Sequence, residues 1–174
     1  LSEGQRRQLL VEFNQRSTMI ASGNLIHVLF EAQAQRDPEA VALVCEGETL
    51  SYGELNRRAN EVAHSLIAHG VRPDDRVAIC VERGLAMIIG LLGILKSGGA
   101  YVPLDPAFPR ERLRMIGEDA ALKVLIVDPA LKDELHVPGA TTVLLGPDSD
   151  FINSGAAQTI LSEVLSDNLA YIIY

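Results

Sequence analysis

Apolar and polar positions along the chain switch between a helical and a strand period, block by block. Leu25, Leu29 and Ala32 recur at helical spacing. They predict a helix capped by Asn24 and running to about Gln35, stopped by Asp37-Pro38. Residues 41–45 are a β-rich run, and Glu46-Gly47-Glu48 is a turn after which Thr49-Leu50 can pair back as a hairpin. Ser51 with Glu54 three residues on is a capping box. Leu55, Val62, Ala63 and Leu66 then share one face of a helix, Arg57, Arg58, Glu61 and Ser65 the other, and Gly70 supplies a left-handed cap. Residues 76–81 read as a buried strand. Residues 84–96 are apolar on nearly all sides, which predicts a helix central to the core, with Lys96 suiting the C-terminal end of its dipole and Gly98-Gly99 ending it.

Further along, residues 100–102 form a short strand and 103–109 a proline-rich loop. Pro109 starts a helix over 110–118. Strands follow at 124–127, 142–145 and 169–174, the last expected to run parallel inside the sheet. Strands of four to six residues separated by helices imply right-handed crossovers. The fold class is therefore α/β, a mainly parallel sheet with packing helices. Residues 1–23 lack this pattern: Leu9, Leu10 and Phe13 give a short amphipathic helix, and a linker of no clear period follows. The compact domain is expected over 24–174.

Composition narrows the partners. The chain of 174 residues is 48% hydrophobic and 22% charged, enough apolar residues to build a core. Its 23 Asp and Glu against 15 Lys and Arg leave a net charge of -8, which disfavours nucleic acid and anionic membrane surfaces as partners. The longest apolar run, 85–95, is far short of the ~20 residues of a membrane span. Two cysteines, Cys45 and Cys80, both sit in apolar runs. They read as buried, reduced thiols of a cytoplasmic protein, both slow to react. The opening stretch is charged and shows no secretory signal; the chain begins with Leu rather than Met, so it is read as a piece excised from something longer.

The residues show no assembled active site. There is no dinucleotide fingerprint, phosphate loop or nucleophile elbow. His27, His64, His69 and His136 lack ligand spacing and read as surface or cap histidines. Asp74-Asp75 and Glu118-Asp119 read as solvated turns or helix ends. Gly98-Gly99 follows a helix C-terminus, the wrong pole for a phosphate. No catalytic, cofactor-binding or metal-binding residue is assigned.

Three stretches read together change the picture. Leu50-Ser-Tyr-Gly-Glu-Leu-Asn56 resembles the first core motif of nonribosomal peptide synthetase adenylation domains, which belong to the adenylate-forming, AMP-binding superfamily. Leu95-Lys-Ser-Gly-Gly-Ala-Tyr-Val-Pro-Leu-Asp105 resembles the second, and Asn168-Leu-Ala-Tyr-Ile-Ile-Tyr174 the opening of the third. Order and separations match over about 24–174. Residues 1–23, with Leu9-Leu10 and Phe13-Asn14, resemble a condensation-to-adenylation linker.

The resemblance implies a ligase of secondary-metabolite biosynthesis. Its parent activates an amino acid with ATP, assisted by Mg²⁺, to aminoacyl-AMP and pyrophosphate. It then loads the acyl group onto a carrier-protein phosphopantetheine thiol, beside condensation and carrier-protein domains. In that family a phosphate loop continues from the third motif, and the pocket residues and catalytic lysine come later, so none maps onto a position here. Asp105 then reads as a turn former in the Pro103-Leu-Asp-Pro106 turn. A piece of an acyl-CoA or aryl-acid ligase, or a non-catalytic α/β binding module, is the alternative. By itself the chain is expected to be inactive.

Overall fold

A computed structural model describes residues 2–10, 25–146 and 164–174. The elements in chain order are α1 (Glu3–Leu10), α2 (Ile26–Arg36), β1 (Val41–Cys45), β2 (Glu48–Ser51), α3 (Tyr52–Ala68), β3 (Arg76–Cys80), α4 (Leu85–Ser97), β4 (Ala100–Pro103), α5 (Arg110–Asp119), β5 (Val124–Val127) and β6 (Thr141–Leu144), with a short 3₁₀ turn at Pro129–Leu131.

Local chemistry explains most of these boundaries. β1 and β2 form an antiparallel hairpin. Glu46 and Gly47 both take positive φ, 50° and 87°, which gives a two-residue turn the twist that flanking strands need. Ser51 caps α3 by accepting a hydrogen bond from the Glu54 backbone N–H at 3.3 Å. The box is only half formed, because the Glu54 carboxylate is taken by Arg57 and Arg58. The Arg57 hydrogen bond, reinforced by Arg58, holds that carboxyl down at about 2. At the other end of α3, Gly70 (φ 83°) lets the Val71 N–H reach back to the Leu66 carbonyl at 3.0 Å. Leu25 is the N-cap residue of α2 and makes no side-chain cap hydrogen bond; the expected cap Asn24 lies outside the described residues.

Four strands build one wholly parallel sheet in the order β4-β3-β5-β6. Its period of two divides the core. Val77 and Ile79 of β3, with Val124 and Ile126 of β5, meet Leu55, Val62 and Leu66 of α3 and Ile89 and Ile94 of α4. Ala78 and Cys80, with Leu125 and Val127, meet Leu113 and Ile116 of α5 on the opposite face. Both faces are covered, so the central strand β5 and β3 after Arg76 are apolar and buried, while the edge strand β6 begins on two threonines.

The helix over 84–96 is central to the core, as expected: Ile89, Gly90, Gly93 and Ile94 are buried, Leu85, Leu91 and Leu92 are half-buried against the core, and no residue of α4 is exposed. Two expectations need correction. The strand at 142–145 begins one residue earlier, at Thr141. Residues 169–174 run parallel to β4 but pair through a single bridge, Tyr101 to Tyr171. Ala170 accepts from the Tyr101 N–H at 3.1 Å, and the Ile172 N–H donates back to Tyr101 at 3.0 Å. Beyond that bridge Ile173 is exposed, and the Tyr174 hydroxyl donates to Asp119 at 2.6 Å. The segment therefore lies beside the sheet, at its β4 edge, and not inside it.

Candidate functional site

In open α/β sheets, ligands bind outside the carboxyl ends of the strands. Here that edge is formed by the residues after Cys80, Pro103, Val127 and Leu144. Glu82 and Arg83 are exposed beyond β3. Asp105 lies beyond β4, where its carboxylate accepts from the Ala107 N–H at 2.9 Å. Asp128 lies beyond β5 and accepts from Ala130 at 3.0 Å. Both aspartates are thus spent on turns, as expected for Asp105.

Cys80 is fully buried at this edge, and its thiol is pushed up to about 11 by burial, which outweighs the pull of Arg110. It is no nucleophile. Cys45 is only half-buried, at the turn end of the hairpin, because β1 presents one side to solvent. Cys80 therefore fits the expectation of slow reaction, and Cys45 departs from it. Thiol titration is expected to label Cys45 under native conditions and Cys80 only after denaturant is added; equal rates at both would contradict the fold.

The histidines also divide. His69 is exposed at the end of α3, its Nδ1 2.8 Å from the Ser65 carbonyl. His136 is exposed on a shallow cleft of about 330 Å³ lined by Arg110, Arg114, Glu134 and Leu135. The cations there are already paired, Arg110 with Glu134 and Arg114 with Glu118. His64 is half-buried on α3. His27, by contrast, is buried, and burial pushes it below the usual imidazole range. It is neither a surface nor a cap histidine. Among the described residues no group of three His, Cys, Asp or Glu side chains converges on a metal position. Gly98 takes φ 90° as the C-terminal cap of α4, and its N–H and that of Gly99 are spent on the Leu95 and Ile94 carbonyls, at 3.2 and 3.1 Å. Among the described residues, no helix is long and apolar enough to cross a membrane.

What the fold does assemble is the three sequence motifs. Asn56 of the first accepts a hydrogen bond at 2.8 Å from Lys96 Nζ of the second. Tyr101 of the second stacks on Tyr171 of the third, ring centroids 5.5 Å apart. Sequence reasoning missed the hub of this arrangement. Lys96, in sequence a helix-end charge, is 1% exposed and ion-paired with Glu31 of α2. A charge late in a helix cannot be told from a buried one without knowing what packs over it.

The AMP-binding enzyme family model matches residues 30–174. The chain belongs to that family. Over all 174 residues it is 45% identical to one of the linear gramicidin synthase proteins of Brevibacillus parabrevis, and it spans 3% of the length of that protein. It is 46% identical over 149 residues, 86% of its own length, to malpinin synthetase of Mortierella alpina, spanning 2% of it. Among solved structures, the nonribosomal peptide synthetase FmoA3 in its α-methyl-L-serine-AMP bound form superposes with a TM-score of 0.82 at 35% identity. The match covers 89% of this chain and 17% of that one. A fatty acyl CoA synthetase of Mycobacterium tuberculosis shares the fold at a TM-score of 0.74 and 24% identity, covering 85% of this chain and 32% of the other. The family model and the superposition agree that the described residues carry part of the adenylate-forming fold.

Proposed function

We propose that this chain is the opening part of an adenylation domain in a cytoplasmic nonribosomal peptide synthetase. The parent activates an amino acid with ATP to aminoacyl-AMP and loads it onto a carrier-protein phosphopantetheine thiol. One observation supports this most: the fold brings the three motifs into contact through Lys96–Asn56 and Tyr101–Tyr171, and the FmoA3 structure that shares this fold is an α-methyl-L-serine-AMP bound form. A carboxylate is a poor acyl donor until a leaving group is attached, and the charge that develops in that step must be neutralised by positioned donors. The described residues supply the scaffold for this: paired strands, a capped α4 and the turn at Asp105. Residues 1–23 are proposed as the linker from a preceding condensation domain; of these, Glu3–Leu10 is helical.

Amino-acid-dependent ATP–pyrophosphate exchange tests the proposal. The pure 174-residue chain is expected to give background exchange with every amino acid. The parent module is expected to exchange with at least one. Exchange by the chain alone would show that it carries a nucleotide site of its own. Activation of fatty or aryl acids in place of amino acids would move the parent to the acyl-CoA or aryl-acid ligases.

A further inference from the structure

We propose that Asp74 is a positioning residue: its carboxylate latches the segment 168–172 in register beside β4. Asp74 lies in the turn before β3, where the sequence alone suggests a solvated turn acid. Its Oδ2 accepts from Asn168 Nδ2 at 2.8 Å and its Oδ1 from the Leu169 backbone N–H at 2.7 Å. The Asn168 side chain is itself fixed, its Oδ1 accepting from the Leu165 N–H at 2.7 Å. One carboxylate thus pins both the side chain and the backbone at the start of the segment. The turn beneath it is anchored in turn, since the Asp74 N–H donates to the Gly98 carbonyl at 3.3 Å and Ala100 donates to Asp75 at 2.8 Å. Asp74 therefore joins the segment to the residues that lead into β4.

Other contacts of this end of the chain are the Tyr101–Tyr171 ring pair and the Tyr174 hydroxyl on Asp119. Leu165, Leu169, Tyr171 and Ile173 remain exposed, and Ile172 packs against the core. Two backbone hydrogen bonds to Tyr101 complete the pairing. Hydrogen bonds to a carboxylate are about twice as strong as neutral ones, and Asp74 accepts two of them where Asp119 accepts one, from Tyr174. Its backbone points the same way. Asp74 sits at φ 69°, in the left-handed region where glycine would be free of strain. A strained position occupied by a side chain that makes two long-range bonds is evidence that the side chain is what the position requires. The assignment of this segment as the third motif rests on the function proposed above; the latch itself is geometric.

Hydrogen exchange on the 174-residue chain tests it, reading the amides of Tyr101, Leu169 and Ile172 against those of Ala78 and Ile79 in β3. Asp74→Gly relieves the backbone while removing the carboxylate. Exchange at the three reporters is expected to rise roughly ten- to a hundred-fold, the loss of a charged hydrogen bond, with β3 unchanged. Asp74→Asn should also loosen them, because its amide then faces the Asn168 amide donor. The exchange of roles, Asp74→Asn with Asn168→Asp, restores a donor opposite an acceptor and leaves an oxygen for each of Leu165 and Leu169. That double variant is expected to recover the protection and the near-ultraviolet circular dichroism of the stacked Tyr101 and Tyr171. Unchanged reporters in Asp74→Gly would overturn the proposal. So would loosening shared with β3, or a double variant no better than the singles. None of these readouts uses nucleotide, so a parent that activates no amino acid would remove the proposed function and leave the latch standing.

Discussion

Removing the Glu31 carboxylate, as in Glu31→Ala, is expected to destabilise the fold by about 3 kcal/mol, the low end for breaking a buried ion pair. Lys96 is almost wholly buried under α2, while Glu31 keeps 14% of its side chain exposed. The ammonium also donates to Asn56 and lies 6.0 Å from the centre of the Phe30 ring. Without Glu31 it has one neutral acceptor and a weak cation–π contact to offset its lost hydration. Lys96→Met should cost less, because Glu31 can turn toward water. The double variant should recover most of the loss of Glu31→Ala. Urea melts of the four proteins decide the matter: additive single effects would mean the pair is not coupled.

The same cluster sets a pH dependence. Burial holds Lys96 below the usual lysine range, against the pull of Glu31. The unfolded chain then binds a proton that the folded chain has already released, so stability rises with pH from the lowered value up to ~10.4. His27, on the same helix as Glu31, is lowered by burial as well, with Glu31 opposing and Lys96 assisting. It folds neutral, so stability falls as pH drops below ~6.5. His27→Gln should flatten that acid limb.

Gly93→Ala is expected to cost ~3 kcal/mol, the upper range for overpacking, and Gly90→Ala clearly less. A methyl at Gly93 would lie 2.5 Å from Val62 Cγ1, 2.6 Å from Val62 Cβ and 3.2 Å from the Ala59 carbonyl oxygen. Val62 is β-branched and held in a helix rotamer, and neither its Cβ nor the Ala59 backbone can move without shifting α3. A methyl at Gly90 would meet Ile79 Cδ1 at 2.5 Å and Leu145 Cδ2 at 2.9 Å. Those are the far ends of flexible side chains, which can swing aside. Thermal melts of the two variants should therefore rank Gly93→Ala well below Gly90→Ala; the reverse order would mean that α3 and α4 do not cross where Val62 and Gly93 meet.

The linear pattern of residues was enough for the elements and for the family. Hairpin, capped α3, left-handed Gly70 and Gly98, and the β-α alternation each depend on neighbours within about five positions, where propensity and periodicity act. The three motifs were legible for the same reason, as contiguous strings. Cys45 and the tail at 169–174 were misjudged because an apolar run looks alike in a covered strand, a half-covered hairpin and an edge segment. Only the position of neighbouring elements separates them. Lys96, Glu31, His27 and Asp74 belong wholly to the tertiary level. Lys96 and Glu31 stand 65 positions apart, and Asp74 and Asn168 stand 94 apart. A charged residue has the same local signature whether it is solvated or paired. The energy that decides between the two comes from desolvation and from a partner that the folded chain alone brings near.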